Sequence, residues 1–333
     1  MVLGPQALEL VGLSNEPIRS ERFDPLGPAR DKLVRGLCIL RADAFLGVAP
    51  HFSSIVEPFD GVMNWKGWRR GAYDVTRMAK IFITGSSQGL GLMTGQLLAE
   101  QGHSVVLHAR NQARAKEAQA KAPRAAGVVI GDVSTLQALR DVAAQTNKLG
   151  PFDAVIHNVG IGYREPRRIE TIDGLSQLWA VNVLAPYVLT ALMPKPQRLV
   201  YLSSGMHLGG DASLDDIQWS KRRWDGSQAY SDTKLHDILL SFAVARHWPD
   251  VLANAVSPGW VQTRMGGPGA NDDLDQAHLT QAWLAVSDDK EARISSGYFY
   301  HKQPGRLNPV TRNPSLQDQL LEYCGKVSGI ALP

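Results

Sequence analysis

The stretch TGSSQGLG, Thr84 to Gly91, directly follows the apolar run IFI at 81–83. Gly85, Gly89 and Gly91 allow a tight turn, close approach of the backbone to a phosphate, and close packing of a following helix on a sheet. An isolated glycine turn can be purely structural, but this one lies at the first strand-to-helix junction of an alternating series. We therefore expect a dinucleotide pyrophosphate to bind here, at the N-terminus of the helix.

From Lys80 onward, short β-branched runs alternate with helical periods, which is typical of βαβ units. The pattern predicts an α/β fold, a doubly wound (Rossmann) parallel sheet of about seven strands in a single domain over residues 78–333. Residues 1–77 have scattered prolines and glycines and weak periodicity, so we expect a poorly ordered N-terminal extension. The predicted strands are 80–83, 104–108, 128–130, 154–157, 198–202, 252–256 and 298–300.

Composition excludes several classes of function. With 35 basic and 32 acidic side chains, the net charge of +3 gives no indication of nucleic-acid binding. Cys38 and Cys324 lack the spacing of metal ligands, so we expect free thiols, a reducing compartment and no metal site. No stretch approaches the roughly eighteen apolar residues of a membrane span, and no secretory signal is evident, so a cytoplasmic location is the default expectation.

Tyr230 and Lys234 are the first pair with acid–base potential. A free tyrosine has a pKa of about 10, so proton transfer at neutral pH needs a nearby cation. Lys234 lies one helical turn away on the same face, and the apolar stripe from Leu235 to Ala243 indicates that this helix is fixed against the core. Four-residue Tyr/Lys spacing is common by chance, but here Ser204 precedes it at the end of a predicted strand, where its hydroxyl could bind a carbonyl oxygen.

Asn182 lies on an otherwise apolar helix face, four residues before Pro186. Because proline has no N–H, the Asn182 carbonyl loses its usual helical partner and can bind water. A kinked structural helix is the other interpretation, and the two are compatible.

The end of the second predicted strand bears on the choice of cofactor. An acidic residue there would bind the ribose hydroxyls of NAD, but this chain has Ala109 and Arg110. A guanidinium pairs with a phosphate, which favours NADP over NAD; a solvated surface arginine is the alternative. Asp132 could meet the adenine or cap the next helix, and Asn158 and Gly160 end the fourth strand beside the cofactor.

Taken together, these motifs resemble the short-chain dehydrogenase/reductase family over nearly all of residues 79–332. The matching pieces are TGSSQGLG, GDV at 131–133, HNVG at 157–160, Asn182, Ser204, YSDTK at 230–234 and SPGWVQT at 257–263. The fourth-strand motif departs slightly, since the family usually has NNAG there. The long region between Ser204 and Tyr230, with SSGMH at 203–207, resembles the retinol-dehydrogenase-like and WW-domain-oxidoreductase-like branches.

The resemblance implies a role for each matched position. Asn182, Ser204, Tyr230 and Lys234 would be catalytic, with Asn182 anchoring a water and Lys234 also holding the nicotinamide ribose. Ser203 would instead satisfy nearby backbone. A homo-oligomer is also implied. The implied cofactor contacts are Thr84, Gly85, Ser87, Gly89, Leu90, Gly91, Arg110, Asp132, Val133, Asn158, Gly160, Tyr230, Lys234, Pro258, Gly259, Val261 and Thr263.

The sequence thus predicts an NADP-dependent oxidoreductase that interconverts a carbonyl and an alcohol, with Tyr230 as the general acid/base. Its small-molecule substrate would be apolar if Met206, Trp219, Trp224 and Trp260 line a pocket, although scattered tryptophans are usually core. Residues 264–279 are rich in glycine and acidic side chains, which suggests a lid. The alternative is a catalytically silent cofactor-binding scaffold or redox-sensing protein; an epimerase or dehydratase is disfavoured by the glycine spacing.

Overall fold

The computed structural model describes residues 78–333, and the expected N-terminal extension lies outside the described residues. Eight strands form one sheet in the order β3-β2-β1-β4-β5-β6-β7-β8, parallel from β3 to β7 with β8 antiparallel to β7. The strands are β1 (Lys80–Ile83), β2 (Ser104–Ala109), β3 (Gly127–Ile130), β4 (Ala154–His157), β5 (Arg198–Leu202), β6 (Leu252–Ser257), β7 (Tyr298–Tyr300) and β8 (Gln303–Pro304).

The predicted doubly wound parallel sheet is confirmed. The seven predicted strands all form, each within one residue of its predicted bounds. The two-residue β8 was missed because it is too short for a periodic signal and contains Pro304, which is tolerated only on an edge strand.

Helices cover the sheet. They are α1 (Gly89–Glu100), α2 (Gln112–Lys121), α3 (Leu136–Leu149), α4 (Gln177–Trp179), α5 (Ala185–Leu192), α6 (Gly226–His247), α7 (Leu274–Ala277), α8 (Leu279–Val286) and α9 (Pro314–Ser328). A π-helical segment, Ala180–Leu184, joins α4 to α5, and 3₁₀ turns lie at Gly205–Gly209 and Pro309–Arg312.

The alternation of side chains along the strands produces two hydrophobic cores, one on each face. In β1, Phe82 points into the larger core with residues of α3, α5, α6 and α9, whereas Ile81 and Ile83 join the other core with residues of α1, α2 and α8. Both faces of the parallel sheet are therefore buried, which explains why its strands are nearly continuous apolar runs.

Helix α6 is enclosed to an unusual degree. Every residue from Ala229 to Ala245 is buried, and α9 packs along the helix. The buried stretch includes Asp232, Lys234, His236 and Asp237, none more than 4% exposed. Buried charges need compensating partners, so α6 is where the fold concentrates its electrostatic interactions.

Within residues 78–333, no helix is both long and apolar enough to cross a membrane. The same residues contain no group of three or more His, Cys, Asp or Glu side chains placed to hold a metal ion. Cys324 is free and buried, and burial raises the pKa of its thiol. Cys38 lies outside the described residues.

We predict that His236 makes the stability of the fold sensitive to acid. Neither of its ring nitrogens has a hydrogen-bond partner among the described residues, and burial lowers its pKa from 6.5 to about 4. The folded protein keeps the His236 ring neutral, whereas the unfolded chain binds a proton as the pH falls below 6.5. The contribution of the neutral ring to the free energy of unfolding is therefore complete above pH 6.5 and is lost as the pH falls towards 4.

Urea unfolding of His236→Leu at pH 6.5 and pH 4.5 checks this. The variant should lose less stability than the parent over this interval, by on the order of 1 kcal/mol per pH unit. Equal losses in the two proteins would show that His236 is not the responsible group.

Candidate active site

The glycine turn and the end of β4 fit closely together. Gly85 has a φ of +62°, and a Cβ there would lie 2.7 Å from the Cα of Val159. A Cβ on Gly91 would lie 2.4 Å from Nδ2 of Asn158, which donates to the carbonyls of Thr84 and Gly85 at 3.0 and 3.1 Å. Only glycine fits at these two positions, so the turn is fixed by its contact with the next strand in the sheet.

The start of α1 provides a surface that suits a phosphate. Gly89 has a φ of +57° and open space where a Cβ would be. Gln88, the N-cap residue, makes no side-chain capping bond, and the first turn contains no acidic residue. The first N–H groups of α1 are thus left for an anionic ligand, so the chain's own residues fit a dinucleotide pyrophosphate at this point.

His108 supports the glycine turn, a role that sequence reasoning missed. Its Nδ1 lies 3.0 Å from the backbone nitrogen of Gly85, and its Nε2 lies 2.9 Å from the carbonyl oxygen of Gly131. Burial lowers the pKa of His108, so the ring is neutral, and the tautomer with the proton on Nε2 satisfies both neighbours. A histidine in an otherwise apolar strand beside the glycine motif was the available signal.

The other predicted residues at the adenosine end differ in exposure. Thr84 is fully buried, and its hydroxyl accepts from the backbone nitrogen of Val159, so its side chain acts in the fold. Arg110 is exposed just after β2. Asp132 is also exposed and accepts from the backbone nitrogen of Ser134; the N-cap of α3 is Thr135, so the capping alternative for Asp132 does not hold.

Asn182 is fixed by three hydrogen bonds. Its Oδ1 accepts from the nitrogen of Ile161 at 2.8 Å, while Nδ2 donates to the Ile161 carbonyl and to the Thr233 hydroxyl. Asn182 lies within the π-helical segment Ala180–Leu184, which ends two residues before Pro186, so the predicted irregularity of this helix is observed. The water on the Asn182 carbonyl stays a prediction.

Ser204, Tyr230 and Lys234 come together at the carboxyl end of the sheet. The Ser204 hydroxyl acts on Tyr230 by lowering the pKa of its phenol, and Nζ of Lys234 lies 5.5 Å from the centre of the Tyr230 ring. Ser203 instead donates to the carbonyl of Lys234 at 2.7 Å, as predicted. Gly160 joins the group, since a Cβ there would lie 3.8 Å from Nζ of Lys234.

Burial and charge act in opposite directions on this cluster. Burial raises the pKa of Tyr230, and the ammonium of Lys234 acts against that rise. Burial alone would lower the pKa of Lys234, but attraction to Asp237 and Tyr230 outweighs it, so the lysine stays charged. The arrangement supplies a proton donor beside a fixed cation, which is the requirement for general acid–base chemistry by a tyrosine.

Asp237 was missed from the sequence. Its Oδ2 lies 2.7 Å from Nζ of Lys234, and the two side chains are 2% and 4% exposed. Lys234 also donates to the carbonyl of Leu202 at 2.8 Å. The signal was an acid three residues after the lysine on one helix, a spacing that brings side chains together.

Residues 258–272 form an ordered loop over the site. Trp260 donates from its backbone to Asp272 and from Nε1 to the Gly266 carbonyl. The Gly266 carbonyl also accepts from Arg164 at 3.0 Å. Among the predicted nicotinamide contacts, Val261 is buried and the Thr263 hydroxyl accepts from the nitrogen of Gly266, which shapes the loop.

The 264–279 segment closes on the reacting group. The Tyr230 hydroxyl lies 3.8 Å from the sulfur of Met265, and Arg264 donates to Gln88 in the glycine turn. The segment therefore reaches from the tyrosine to the phosphate-binding turn. Its mobility as a lid stays a prediction.

An apolar cluster lies beside Tyr230. Trp219 and Trp224 pack edge to face with ring centres 5.5 Å apart, and Tyr163 packs likewise on Tyr230 at 5.7 Å. Of the four predicted pocket residues, Trp219, Trp224 and Met206 belong to this cluster, while Trp260 is 47% exposed in the loop. Sequence reasoning missed Leu178, Tyr163 and Met265, because they come from three separate segments.

Residues 79–203 match the family model described as short chain dehydrogenase. An uncharacterized oxidoreductase of Emericella nidulans is 45% identical over 260 residues, which cover 77% of this chain and 99% of that protein. Retinol dehydrogenase 13 of Homo sapiens is 30% identical over 203 residues, covering 56% of this chain and 60% of its own. The second likeness agrees with the predicted retinol-dehydrogenase-like branch.

Two solved structures share the fold. An uncharacterized protein from Mycobacterium paratuberculosis superimposes with a TM-score of 0.66 at 24% identity, covering 77% of this chain and 95% of that one. A blue fluorescent protein from a metagenomic library, solved in complex with NADPH, gives a TM-score of 0.53 at 21% identity, covering 66% and 95%.

The chain belongs to the short-chain dehydrogenase/reductase family. It is accordingly an oxidoreductase that acts on CH–OH groups with a nicotinamide dinucleotide.

We predict that His108→Leu weakens cofactor binding about tenfold. The substitution leaves the nitrogen of Gly85 and the carbonyl of Gly131 without their buried partner, and such a loss costs about 1–3 kcal/mol. Titration calorimetry with the oxidised cofactor measures the change. The matched control is His103→Leu, because the His103 ring accepts from Ala79 at the opposite end of β1. Equal affinities for parent and His108→Leu would contradict the supporting role.

Proposed function

We propose that this protein is an NADP-dependent oxidoreductase in which Tyr230 moves the proton between substrate and protein. The observation that carries the proposal is the meeting of Tyr230, Ser204 and Lys234 at the same edge of the sheet as the phosphate-suited turn. In a parallel sheet this edge is where the crevice for a dinucleotide opens.

Each residue of the cluster has a distinct part. NADP, when bound, supplies or accepts the hydride. In the reductive direction Tyr230 donates its proton to the carbonyl oxygen, and in the oxidative direction it accepts the proton of the alcohol. The Ser204 hydroxyl, which lowers the pKa of Tyr230, donates to the same oxygen as negative charge develops there. The Lys234 ammonium stabilises the phenolate that reduction leaves behind.

Asn182 and Gly160 keep this cluster in place. Two hydrogen bonds between the side-chain amide of Asn182 and the backbone of Ile161 hold the segment after β4 against the π-helical turn. A Cβ on Gly160 would lie 3.6 Å from Oδ1 of Asn182 and 3.8 Å from Nζ of Lys234, so this backbone is in van der Waals reach of both groups. We propose Asn182 as the fourth member of the catalytic group, anchoring the water that links Lys234 to solvent.

The substrate we propose is an apolar carbonyl or alcohol with an aromatic or extended hydrocarbon portion. The surfaces nearest Tyr230 are the rings of Tyr163, Trp219 and Trp224 and the thioethers of Met206 and Met265. Aromatic rings and thioethers favour flat, polarisable ligands. The expected homo-oligomer and cytoplasmic location stay predictions.

Exposed Arg110 is expected to set the preference for NADP. Replacing it with serine removes a guanidinium from the end of β2, where the additional phosphate of NADP would lie. We expect Arg110→Ser to raise the Kd for NADP about tenfold to a hundredfold while leaving the Kd for NAD unchanged, since bonds to charged groups are worth about 1.5–3 kcal/mol.

The control for that experiment is Arg114→Ser. Arg114 lies nearby on α2, where it pairs with Glu117 at 2.8 Å. An unchanged ratio of the two dissociation constants in Arg110→Ser, or turnover by the parent that is as good with NAD, would show that Arg110 does not read the phosphate.

Tyr230→Phe should reduce turnover by a factor of about 10² to 10⁴ because the ring stays in place while the proton donor is removed. Cofactor affinity should be unchanged. A panel of aldehydes, ketones and alcohols with both cofactors, followed by absorbance of the reduced nicotinamide, provides the assay. Tight cofactor binding by the parent without turnover of any panel member would favour the silent scaffold instead.

A further inference from the structure

We propose that Asp237 is a positioning residue, which acts as the counter-ion of Lys234 and so sets the pH range in which Tyr230 exchanges its proton. This rests on the proposed function of Tyr230 as the acid–base group. The carboxylate does not touch the substrate; its effect on the phenol is transmitted through the lysine and through space.

The geometry is that of a fixed, buried ion pair. Lys234 and Asp237 are three residues apart on α6, with Nζ and Oδ2 separated by 2.7 Å. The remaining carboxylate oxygen, Oδ1, is buried and has no hydrogen-bond partner among the described residues. A carboxylate that is desolvated and bonded on one side only interacts strongly with the single cation beside it.

Because of this pair, the ammonium of Lys234 is shared. It donates to Asp237 and to the carbonyl of Leu202, while it lies 5.5 Å from the centre of the Tyr230 ring. The attraction that would favour the Tyr230 phenolate is thereby partly cancelled by the carboxylate, which raises the pKa of Tyr230. The pair as a whole is a dipole rather than an isolated positive charge.

Other titratable groups face the cluster from the strands and segments packed around it. Tyr163, in the segment after β4, and Tyr298, on β7, each interact electrostatically with Tyr230, and burial raises the pKa of Tyr298 to about 12. Tyr201, on β5, faces Asp237 and has a raised pKa from burial. His207 packs on Tyr298, and burial lowers its pKa.

Asp237 itself changes charge within an accessible range. Burial raises its pKa to about 6, against the opposing effect of Lys234. Above that pH the carboxylate is ionised and opposes ionisation of Tyr230; below it this opposition is lost. Among the residues that the structure describes, Asp237 is the carboxylate that acts on Tyr230.

The test compares the parent with Asp237→Asn, which keeps the shape and an acceptor for Lys234 but removes the negative charge. The pH at half-maximal kcat/KM for alcohol oxidation should fall by about one unit, since a like charge at close range shifts a pKa by one unit or more. Asp237→Ser is the second variant, in case the amide does not fold. The matched control is Asp232→Asn, a buried carboxylate on the same helix that pairs with Arg222 at 2.8 Å.

A second readout uses the cofactor-free protein. The ultraviolet absorbance of ionised tyrosine is followed against pH in the parent and in Asp237→Asn, each after subtraction of its Tyr230→Phe counterpart. The Tyr230 signal should appear at a pH about one unit lower in Asp237→Asn. This measurement needs no turnover, so it tests the inference even if the proposed reaction is wrong.

The outcomes separate the two proposals. If the parent oxidises alcohols and Asp237→Asn keeps the parent's midpoint, or if Asp232→Asn shifts it equally, Asp237 has only a structural role. A parent with no turnover overturns the proposed function, while a lowered Tyr230 titration in Asp237→Asn would still support the counter-ion role.

Discussion

The strand order of the sheet reverses at β1 and β4, and the rest of the site depends on that reversal. The connections that follow β1 lead to β2 and β3 on one side of the sheet, whereas those that follow β4 lead to β5, β6 and β7 on the other side. The loops that follow β1 and β4 therefore diverge and leave a crevice at the carboxyl edge. The backbones of these two loops approach closely at Gly85 and Val159, where only glycine fits.

The enclosure of α6 follows from the same architecture. The helix packs against β5 and β6 on one side and α9 on another, so its buried polar groups depend on neighbouring elements for their hydrogen bonds. Lys234 reaches Leu202 at the end of β5, and Thr233 reaches Asn182 on the adjoining helix. Charged and polar side chains are thus held in one arrangement by the packing of the apolar ones around them.

Much of this could be predicted from the sequence because it is local. The glycine turn, the strand runs and the Tyr230–Lys234 spacing each depend on a few consecutive residues. His108 was missed because its partner Gly85 lies in another segment of the chain. Asp237 was missed because periodicity does not show how deeply a side chain is buried. Met265 was missed because it lies in a loop distant in sequence from Tyr230. The short β8 gave no pattern at all. The site roles assigned to the matched motifs stay predictions.

The contact between Met265 and Tyr230 has a kinetic consequence. The phenolic hydroxyl that must meet a carbonyl oxygen is already directed at a thioether, and the backbone next to that thioether is gripped by Arg164 and Trp260. A carbonyl oxygen that accepts a hydrogen bond from this hydroxyl would take the place of the sulfur. If Tyr230 is the proton donor, this exchange of a thioether for an oxygen adds a conformational step to each turnover, separate from the chemical one.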